Sequence, residues 1–307
     1  MKLSAITDSV LSLFIMILVG VYGSKKKIIT SKINKGLTDI LVQIALPFMI
    51  VSSFIFTYDH TIKTNIVHTF YYSPIAYIVI IAISYLLLLP IKNDKKTILH
   101  FANVFTNTGY VGFPILYSIY GNEGVIYGSI FNMFFVIFVW TYGLMLFKDF
   151  KKKEFKKEIR NVLLNPSIIA IYIGIVIMVF NIRLPNALIS SMKSIGNMTG
   201  PLSMFIIGVI LSNIKIRKYL KDWTIYYGII TKLVIIPIII YFISILLVDL
   251  SKAVITVIIM TAMPASTMTS IFAESYDKQK EYAALLVSIT TLLSLISVPI
   301  LLKMIIS

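Results

Sequence analysis

The sequence His100-Phe-Ala-Asn-Val-Phe-Thr-Asn-Thr-Gly-Tyr-Val-Gly-Phe-Pro114 interrupts a hydrophobic segment at its centre with polar residues, glycine and proline. A second segment, Ile258-Ile-Met-Thr-Ala-Met-Pro-Ala-Ser-Thr-Met-Thr-Ser270, is interrupted in the same way in the other half of the chain. Unpaired backbone groups in hydrocarbon cost several kcal/mol each, so such breaks are tolerated only where they are buried in protein or face water. A matched pair of interrupted membrane spans is the best sequence indicator of a transporter's substrate site.

Composition places the chain among polytopic α-helical membrane proteins. Of its 307 residues, 58% are hydrophobic and 13% are charged, and the mean hydropathy is +0.91. A soluble domain of this size carries about 25% charged residues. The chain has no cysteine, which excludes disulfides and thiolate metal sites. The three histidines have no metal-ligand spacing, and Walker, HExxH, nucleophile-elbow and dinucleotide motifs are absent, so we expect no cofactor and no enzyme activity.

Ten hydrophobic segments of membrane-spanning length are predicted. They lie at about residues 5–23, 37–57, 69–91, 98–119, 123–147, 163–182, 194–214, 224–248, 252–275 and 283–305. Ten spans divide into five plus five, so a second half built like the first must lie inverted in the membrane. The predicted units are a first repeat at 1–147 (spans 1–5), a basic loop at 148–162, and a second repeat at 163–307 (spans 6–10).

The formal net charge of +15 reflects membrane topology and not binding to nucleic acid. Twenty-one of the 28 Lys and Arg residues fall in loops on one side of the ten spans, six fall on the other, and Lys232 lies inside span 8. Because Lys-rich and Arg-rich loops stay cytoplasmic, this asymmetry predicts a multi-pass protein of the cell membrane with both termini outside. Lys25, Lys26 and Lys27 directly after the first segment disfavour its cleavage as a signal peptide. The basic loops also suit contact with the anionic lipid of the bilayer.

Weak internal matches agree with an inverted repeat. Two similar spacings, 154 and 159 residues, recur in four residue pairs: Gly20 with Gly174, Pro47 with Pro201, Ser129 with Ser288, and Asn132 with Thr291. Any one of these matches is at the level of chance, and only their agreement with equal span counts carries weight. Inverted repeats place the substrate near the bilayer midplane, at the interface between the repeats.

The two breaks carry groups that suit an anion. Span 4 offers the Asn107 amide, the Thr108 hydroxyl and the flexible Gly109, and Gly112 and Pro114 suit the start of a second half-helix. Span 9 offers a matching set: Pro264, Ala265, Ser266 and Thr267. If the breaks cross at mid-membrane, two helix N-termini converge there with unpaired N–H groups, which favours a carboxylate. The alternative is a pair of ordinary proline kinks packed against Ser and Thr neighbours.

Lys232 is the one clear cation inside a predicted span. A charge at that depth costs at least about 2.5 kcal/mol, so it requires a reason. Two roles stay open: the ammonium neutralises the negative C-terminal ends of the first half-helices, or it attracts an anionic substrate. Four further polar residues are candidates for a cavity wall, with hydrogen bonding between helices as the alternative: Gln43, Asn103, Asn132 and Thr291.

The motif Asn107-Thr-Gly-Tyr-Val-Gly-Phe-Pro114, followed by Tyr120-Gly121, resembles the fourth-helix signature of the auxin efflux carrier family. Asn165-Pro166, Lys232 with Pro237, and Ala262-Met-Pro-Ala265 are similar to the second half of that family. The family includes plant PIN-type carriers and bacterial malonate or malate transporters. The short central loop of this chain is similar to the compact bacterial form. Where a plant carrier has Arg in span 8, this chain has Lys232, so the charge is kept and the bidentate geometry is lost.

The resemblance implies an all-α fold like the sodium/proton antiporters and bile acid symporters, in which spans 4 and 9 cross. It implies a scaffold of spans 1, 2, 6 and 7, a transport domain of spans 3–5 and 8–10, and a homodimer paired through the scaffold. It implies a secondary transporter for a small carboxylate that binds at the crossing, coupled to a proton, to a sodium ion or to neither. A sodium-coupled symporter of the bile-acid type, and a channel or sensor on the same fold, are the alternatives.

Overall fold

The computed structural model describes residues 3–55, 60–91, 95–147, 160, 163–212, 219, 221–247 and 250–306. Within these residues the chain is helical and forms no β-strand, apart from one isolated antiparallel bridge between Thr106 and Ala265. Apart from Arg160, the predicted basic loop at 148–162 lies outside the described residues.

The first half of the chain contains six α-helices and three π-helical turns among the described residues. They are α1 (Leu3–Lys25), α2 (Ser31–Ile40), a π turn at Leu41–Ala45, α3 (Leu46–Ser53), α4 (His60–Leu87), α5 (Lys95–Val104), a π turn at Thr108–Gly112, α6 (Phe113–Phe138) and a π turn at Val139–Gly143. Helix α6 bends sharply at Gly121, whose φ of +59° is accessible to glycine without strain. This bend separates predicted span 4 from predicted span 5.

The second half of the chain, like the first, contains one broken span among its longer helices. Its elements are α7 (Pro166–Val179), α8 (Asn186–Gly196), α9 (Thr199–Ser212), α10 (Trp223–Ile230), a π turn at Thr231–Ile235, α11 (Ile236–Leu247), α12 (Lys252–Thr261), α13 (Met268–Ser275) and α14 (Lys280–Ile306). Helices α5 and α12 are the first half-helices of predicted spans 4 and 9. Each has ten residues and each begins with a lysine.

The helices confirm a polytopic helical membrane protein. Six described stretches are long and apolar enough to cross a membrane: Ser31–Ser53, Thr61–Leu87, Thr108–Gly143, Asn186–Ser212, Trp223–Leu247 and Lys280–Ile305. Each of the ten predicted spans overlaps described helix, while the ten-span inverted topology itself stays a prediction. The outward faces of these helices are apolar, as a lipid-facing surface requires; on α7, Tyr172, Ile173 and Val176 are exposed.

Two predicted boundaries differ from the observed ones because short polar helices resemble loops in sequence. Span 2 was predicted to start at residue 37, but the helix begins at Ser31, where the Thr30 hydroxyl accepts a hydrogen bond from Ile33 N. Span 7 was predicted at 194–214, whereas helix begins at Asn186 and breaks between Gly196 and Thr199. The residues before position 194 include two serines and a lysine. They lower the local hydropathy, so the hydropathy pattern does not include them in the span.

Close packing holds the two halves together. A Cβ atom on Gly20 of α1 would lie 2.6 Å from the carbonyl oxygen of Phe205, and one on Gly208 of α9 would lie 2.3 Å from that of Ile17. These glycines therefore allow α1 and α9 to pack backbone against backbone. Away from this contact, the Tyr77 ring of α4 stacks on Phe131 of α6 and fills the space beside the broken span 4.

Candidate functional site

The two breaks cross and pair with each other. Between α5 and the following π turn, and between α12 and α13, the chain leaves helical geometry. Asn107 N donates to Pro264 O at 2.8 Å, and Ser266 N donates to Phe105 O at 2.9 Å. Backbone groups that the breaks release from their helices are thus partly satisfied by the opposite break.

The pairing is symmetric in the chain. Residues 159 apart occupy equivalent places in the two breaks: Phe105 with Pro264, Thr106 with Ala265, and Asn107 with Ser266. Exchanging each residue for its equivalent converts one of the two hydrogen bonds into the other. The same spacing relates Ser129 to Ser288 and Asn132 to Thr291 in the sequence. A local two-fold relation at the crossing agrees with the predicted inverted repeat.

Each second half-helix begins at the crossing with a side-chain cap. Asn107 Oδ1 accepts from Tyr110 N at 3.1 Å, and helical geometry begins at Thr108. The α-helix itself begins at Phe113, with Gly112 at its N-cap and Pro114 in its first turn, as the sequence predicts. The π turn at Thr108–Gly112 extends helical geometry back to the Asn107 cap. In the second break, Ser266 Oγ accepts from Met268 N at 3.2 Å. Both N-termini thus face the crossing.

Spans 5 and 10 brace the crossing from the sides. Thr108 Oγ1 donates to Asn132 Oδ1 at 2.7 Å. Ala265 N donates to Thr290 Oγ1 at 3.3 Å. Thr291, the sequence equivalent of Asn132, bonds within its own helix to Val287 O and lines a small apolar cavity. The backbone symmetry of the crossing is therefore not matched by its side chains.

Lys232 is fully buried and contacts the first half-helix of span 4. Its Nζ donates to Asn103 O at 3.0 Å, one residue before α5 ends. A cation at the C-terminal end of a helix is the arrangement that the helix dipole favours. Beside it, Thr231 Oγ1 donates to Asn103 Oδ1 at 3.2 Å, and Asn103 Nδ2 donates to Ser84 Oγ at 3.1 Å. Asn103, a candidate for the cavity wall, is thus bonded to two other helical segments, the π turn at Thr231–Ile235 and α4.

The candidate site residues lie together, and most of them are buried. Asn107 is 4% exposed, Ser266 is 4% exposed and Ala265 is fully buried, while Gly109 and Thr267 are partly exposed. A cavity of about 400 Å³ approaches from one side and reaches Pro114. Its wall is formed by Ser12, Leu13, Met16, Met49, Pro114, Tyr117, Ser118, Gly196, Asn197, Gly200 and Pro201. Gln43, expected at a cavity wall, is instead exposed on the π turn at Leu41–Ala45, where the helix surface turns it outward.

Tyr110 was not singled out from the sequence, although it follows the first break directly. Its ring packs against Leu41, Ala45 and Ile206. Its hydroxyl interacts with the Thr38 and Thr267 hydroxyls. Tyr110 therefore joins both breaks to the helices α2 and α9. An aromatic residue within the Gly-rich motif is the signal that could have identified it.

These features define a class, a polytopic helical membrane protein with two broken helices that cross. Among the described residues, no three His, Asp or Glu side chains cluster as metal ligands. A family model described as "Membrane transport protein" matches residues 5–302. The chain belongs to this family of membrane transport proteins, the auxin efflux carrier family, which confirms the resemblance in the span-4 motif.

Two archaeal relatives carry matching descriptions. An uncharacterized transporter of Methanocaldococcus jannaschii is 25% identical over an alignment of 307 positions, which covers 94% of this chain and 95% of the relative. An uncharacterized transporter of Methanothermobacter thermautotrophicus is 23% identical over 203 aligned residues, covering 65% of each chain. The similarity to the first relative extends over nearly the whole length of both proteins.

Proposed function

We propose that this protein is a secondary transporter that moves a small carboxylate across the cell membrane by alternating access, with the substrate bound at the crossing. The observation that carries the proposal is the paired crossing itself. Two second half-helices begin there, so the N-termini of both lie at the crossing. Helix N-termini carry partial positive charge and bind carboxylates through these N–H groups.

Charge around the crossing supports an anion. Lys232 forms its hydrogen bond with the neutral carbonyl of Asn103, one residue from the end of α5, so an ammonium charge is not cancelled there. Among the described residues, the ion pairs are Lys95 with Asp222, Lys252 with Glu123 and Lys280 with Asp277, and none involves Lys232. An uncancelled ammonium in a low-dielectric interior attracts a carboxylate strongly.

Two unequal sides of the crossing support alternating access. On one side the cavity of about 400 Å³ separates α1, α3 and α9 from the second half-helix of span 4. On the other side Tyr110 packs against the π turn at Leu41–Ala45 and against Ile206 of α9. By the predicted topology the cavity opens outward and Tyr110 closes the cytoplasmic side. The scaffold of spans 1, 2, 6 and 7 would then be the fixed part, paired in a homodimer.

The test is a thermal-shift screen of the purified full-length protein against small mono- and dicarboxylates. The screen is repeated with sodium and with potassium as the only cation, and at several pH values. A ligand present at 100 times its Kd stabilises the folded state by about 2.7 kcal/mol, which is readily measured. We expect a small carboxylate, but not the matching uncharged amide, to raise the melting temperature. Failure of every carboxylate would overturn the proposal.

Two outcomes would replace this function by its alternatives. Binding that requires sodium at every pH would favour a sodium-coupled symporter of the bile-acid type. Flux in proteoliposomes that is rapid and does not saturate with carboxylate concentration would favour a channel. A saturable, sodium-independent uptake supports the transporter as proposed.

A further inference from the structure

Buried hydrogen bonds connect Lys232 to His100 through Asn103, whose backbone carbonyl accepts from Lys232 and whose side chain makes the next bond. Lys232 and Thr231 hold Asn103, and the Asn103 amide holds Ser84 of α4. Ser84 Oγ lies 2.8 Å from His100 Nδ1. His100 Nε2 lies 2.6 Å from the Tyr142 hydroxyl. Five of these six side chains are buried, and Tyr142 at the far end is partly exposed.

The hydrogen bonds of this chain are consistent with a neutral His100 whose proton is on Nε2. The Asn103 amide nitrogen can only donate, so Ser84 Oγ accepts from it. The Ser84 hydroxyl proton is then free to point at His100 Nδ1, and we assign it there, so that Nδ1 accepts. The ring in this structure is therefore assigned as neutral, with its proton on Nε2 directed at Tyr142. His100 is 5% exposed, and the transport site described above makes no use of it.

We propose that His100 is a proton-binding site coupled to the anion site through Ser84, Asn103 and Lys232, so that proton uptake favours carboxylate binding. This inference rests on the proposed function for the identity of the anion. A proton taken up from solvent adds to the Nδ1 lone pair, and no other bond is made or broken. The imidazolium then donates from both nitrogens, and Ser84 becomes the acceptor in its bond with the ring.

The protonated state is compatible with the same packing. A serine hydroxyl can accept two hydrogen bonds and turn its own proton to the carbonyl four residues earlier. Ser73 and Ser129 of this protein already make that bond, to Thr69 O and Val125 O. Protonation of His100 therefore reverses one link of the chain and requires no buried polar atom of Ser84 to lose its partner.

The coupling follows from charge and position. His100 and Asn103 are three residues apart on α5 and lie on the same face of the helix. A positive charge on the His100 ring repels the Lys232 ammonium that is bound to Asn103 O, and weakens that bond. Released from the carbonyl, Lys232 is available to an anion at the crossing. By linkage, the anion must strengthen proton binding at His100 to the same degree.

Among the described residues, the groups that act on the His100 ring include no carboxylic acid that would compete with it for a proton. Tyr142 contacts Nε2 directly and stacks edge-on against the ring, and Lys96 on α5 is the charged side chain that acts on His100 within the described residues. On α4 the contacting group is Ser84, and on the segment after α10 it is Lys232, acting through Asn103. No Asp or Glu of the described ion pairs involves His100.

The experiment measures malonate affinity of the full-length protein between pH 5 and pH 8 for wild type, His100→Gln and the control His68→Gln. Glutamine keeps a polar side chain and cannot titrate, and His68 is a partly exposed histidine outside the chain. Malonate ionises identically in all samples, so that contribution cancels in the comparison. We expect affinity to strengthen at least fivefold more toward low pH in wild type and His68→Gln than in His100→Gln. Identical pH profiles in all three overturn the inference and leave the proposed function standing.

A second measurement is independent of any ligand. Histidine-selective NMR labelling gives one ring signal for each of the three histidines, assigned from the His→Gln variants. We expect Lys232→Met to move the His100 titration to higher pH, because a neighbouring positive charge is removed, and to leave His68 unchanged. Should His100→Gln fail to fold, Ser84→Ala breaks the same link and must reduce this shift. An unchanged His100 titration in Lys232→Met overturns the coupling even where no carboxylate binds.

Discussion

The break in span 4 and the break in span 9 have the same backbone and different chemistry. Their residues pair through two hydrogen bonds that exchange under a spacing of 159 residues. The first break, however, has a buried ammonium at the end of its first half-helix and an Asn cap, whereas the second has a Ser cap. Backbone symmetry is set by the need to satisfy N–H and C=O groups. Side chains are not subject to that requirement, so the two breaks can contribute different groups to binding.

If the two halves are not inverted, the comparison between the breaks has no basis. The topology test therefore has the largest expected effect, because each position is either labelled or protected. Single cysteines at Lys153, Lys63 and the C-terminus are tested with a membrane-impermeant thiol reagent. The chain has no native cysteine, so the background is zero. The charge asymmetry predicts that Lys153 is protected in intact cells and that the other two positions are labelled. A protected C-terminus would rule out the five-plus-five arrangement.

Lys232→Met should give the largest change among single substitutions. The Asn103 carbonyl loses a charged donor, which costs about 1–3 kcal/mol of stability, and carboxylate affinity falls at least tenfold. The matched control is Tyr77→Phe, 155 residues earlier, because the Tyr77 hydroxyl is buried with no hydrogen-bond partner among the described residues. We expect that control to be unchanged or about 1 kcal/mol more stable. Melting temperature and ligand affinity on both variants decide the matter.

The two caps should contribute unequally to binding. Asn107→Ala removes a buried amide beside the crossing and should weaken carboxylate binding by about 1–3 kcal/mol. Ser266→Ala removes a hydroxyl that caps one N–H, with a cost of about 1 kcal/mol that falls mainly on stability. Titration calorimetry and thermal melting separate the two effects. Wild-type affinity in Asn107→Ala would place the substrate elsewhere.

The smallest effects are expected where each first half-helix begins. Lys95 pairs with Asp222 at 2.5 Å, and their side chains are 24% and 15% exposed. Burial raises the pKa of Asp222, but hydrogen bonds from Lys95 and Thr224 outweigh it and hold the pKa below its usual value of 3.8. A lowered pKa stabilises the fold above that value, and the stabilisation is lost as pH falls further. Asp222→Asn should therefore cost about 1 kcal/mol at pH 7 and little near pH 3.

The corresponding pair on span 9 serves as the control. Lys252 bonds to Glu123 at 2.8 Å, but its side chain is 51% exposed. Solvent screens such a pair, so Glu123→Gln should cost roughly 0.5 kcal/mol or less. Melting curves of both variants at the two pH values test the difference. An equal cost at pH 7 and pH 3 for Asp222→Asn would show that the ion pair is not its cause.

The residues alone predicted the two breaks, and the family resemblance implied that they cross, but neither predicted which groups the crossing would contact. Glycine, proline and polar residues within an apolar span indicate backbone groups that need a hydrogen-bond partner outside their own helix. This signal is contained within the span itself. Lys232 was visible for the same reason, since a charge in hydrocarbon demands explanation. The closure by Tyr110 and the chain through His100 depend on which helices meet. That information is absent from any single span, and a histidine at the edge of span 4 looks like an ordinary interfacial residue.

The hydrogen bonds between the two breaks can form only late in the synthesis of the protein. Asn107 and Pro264 bond to each other across roughly half the chain. At a synthesis rate of about 5–20 residues per second, span 4 waits roughly 10–30 seconds for span 9 to emerge. Through that interval the released amides of the first break lack their final partners in or beside the bilayer. The nascent chain must therefore keep span 4 hydrated, or shielded by the insertion machinery, until the second half arrives.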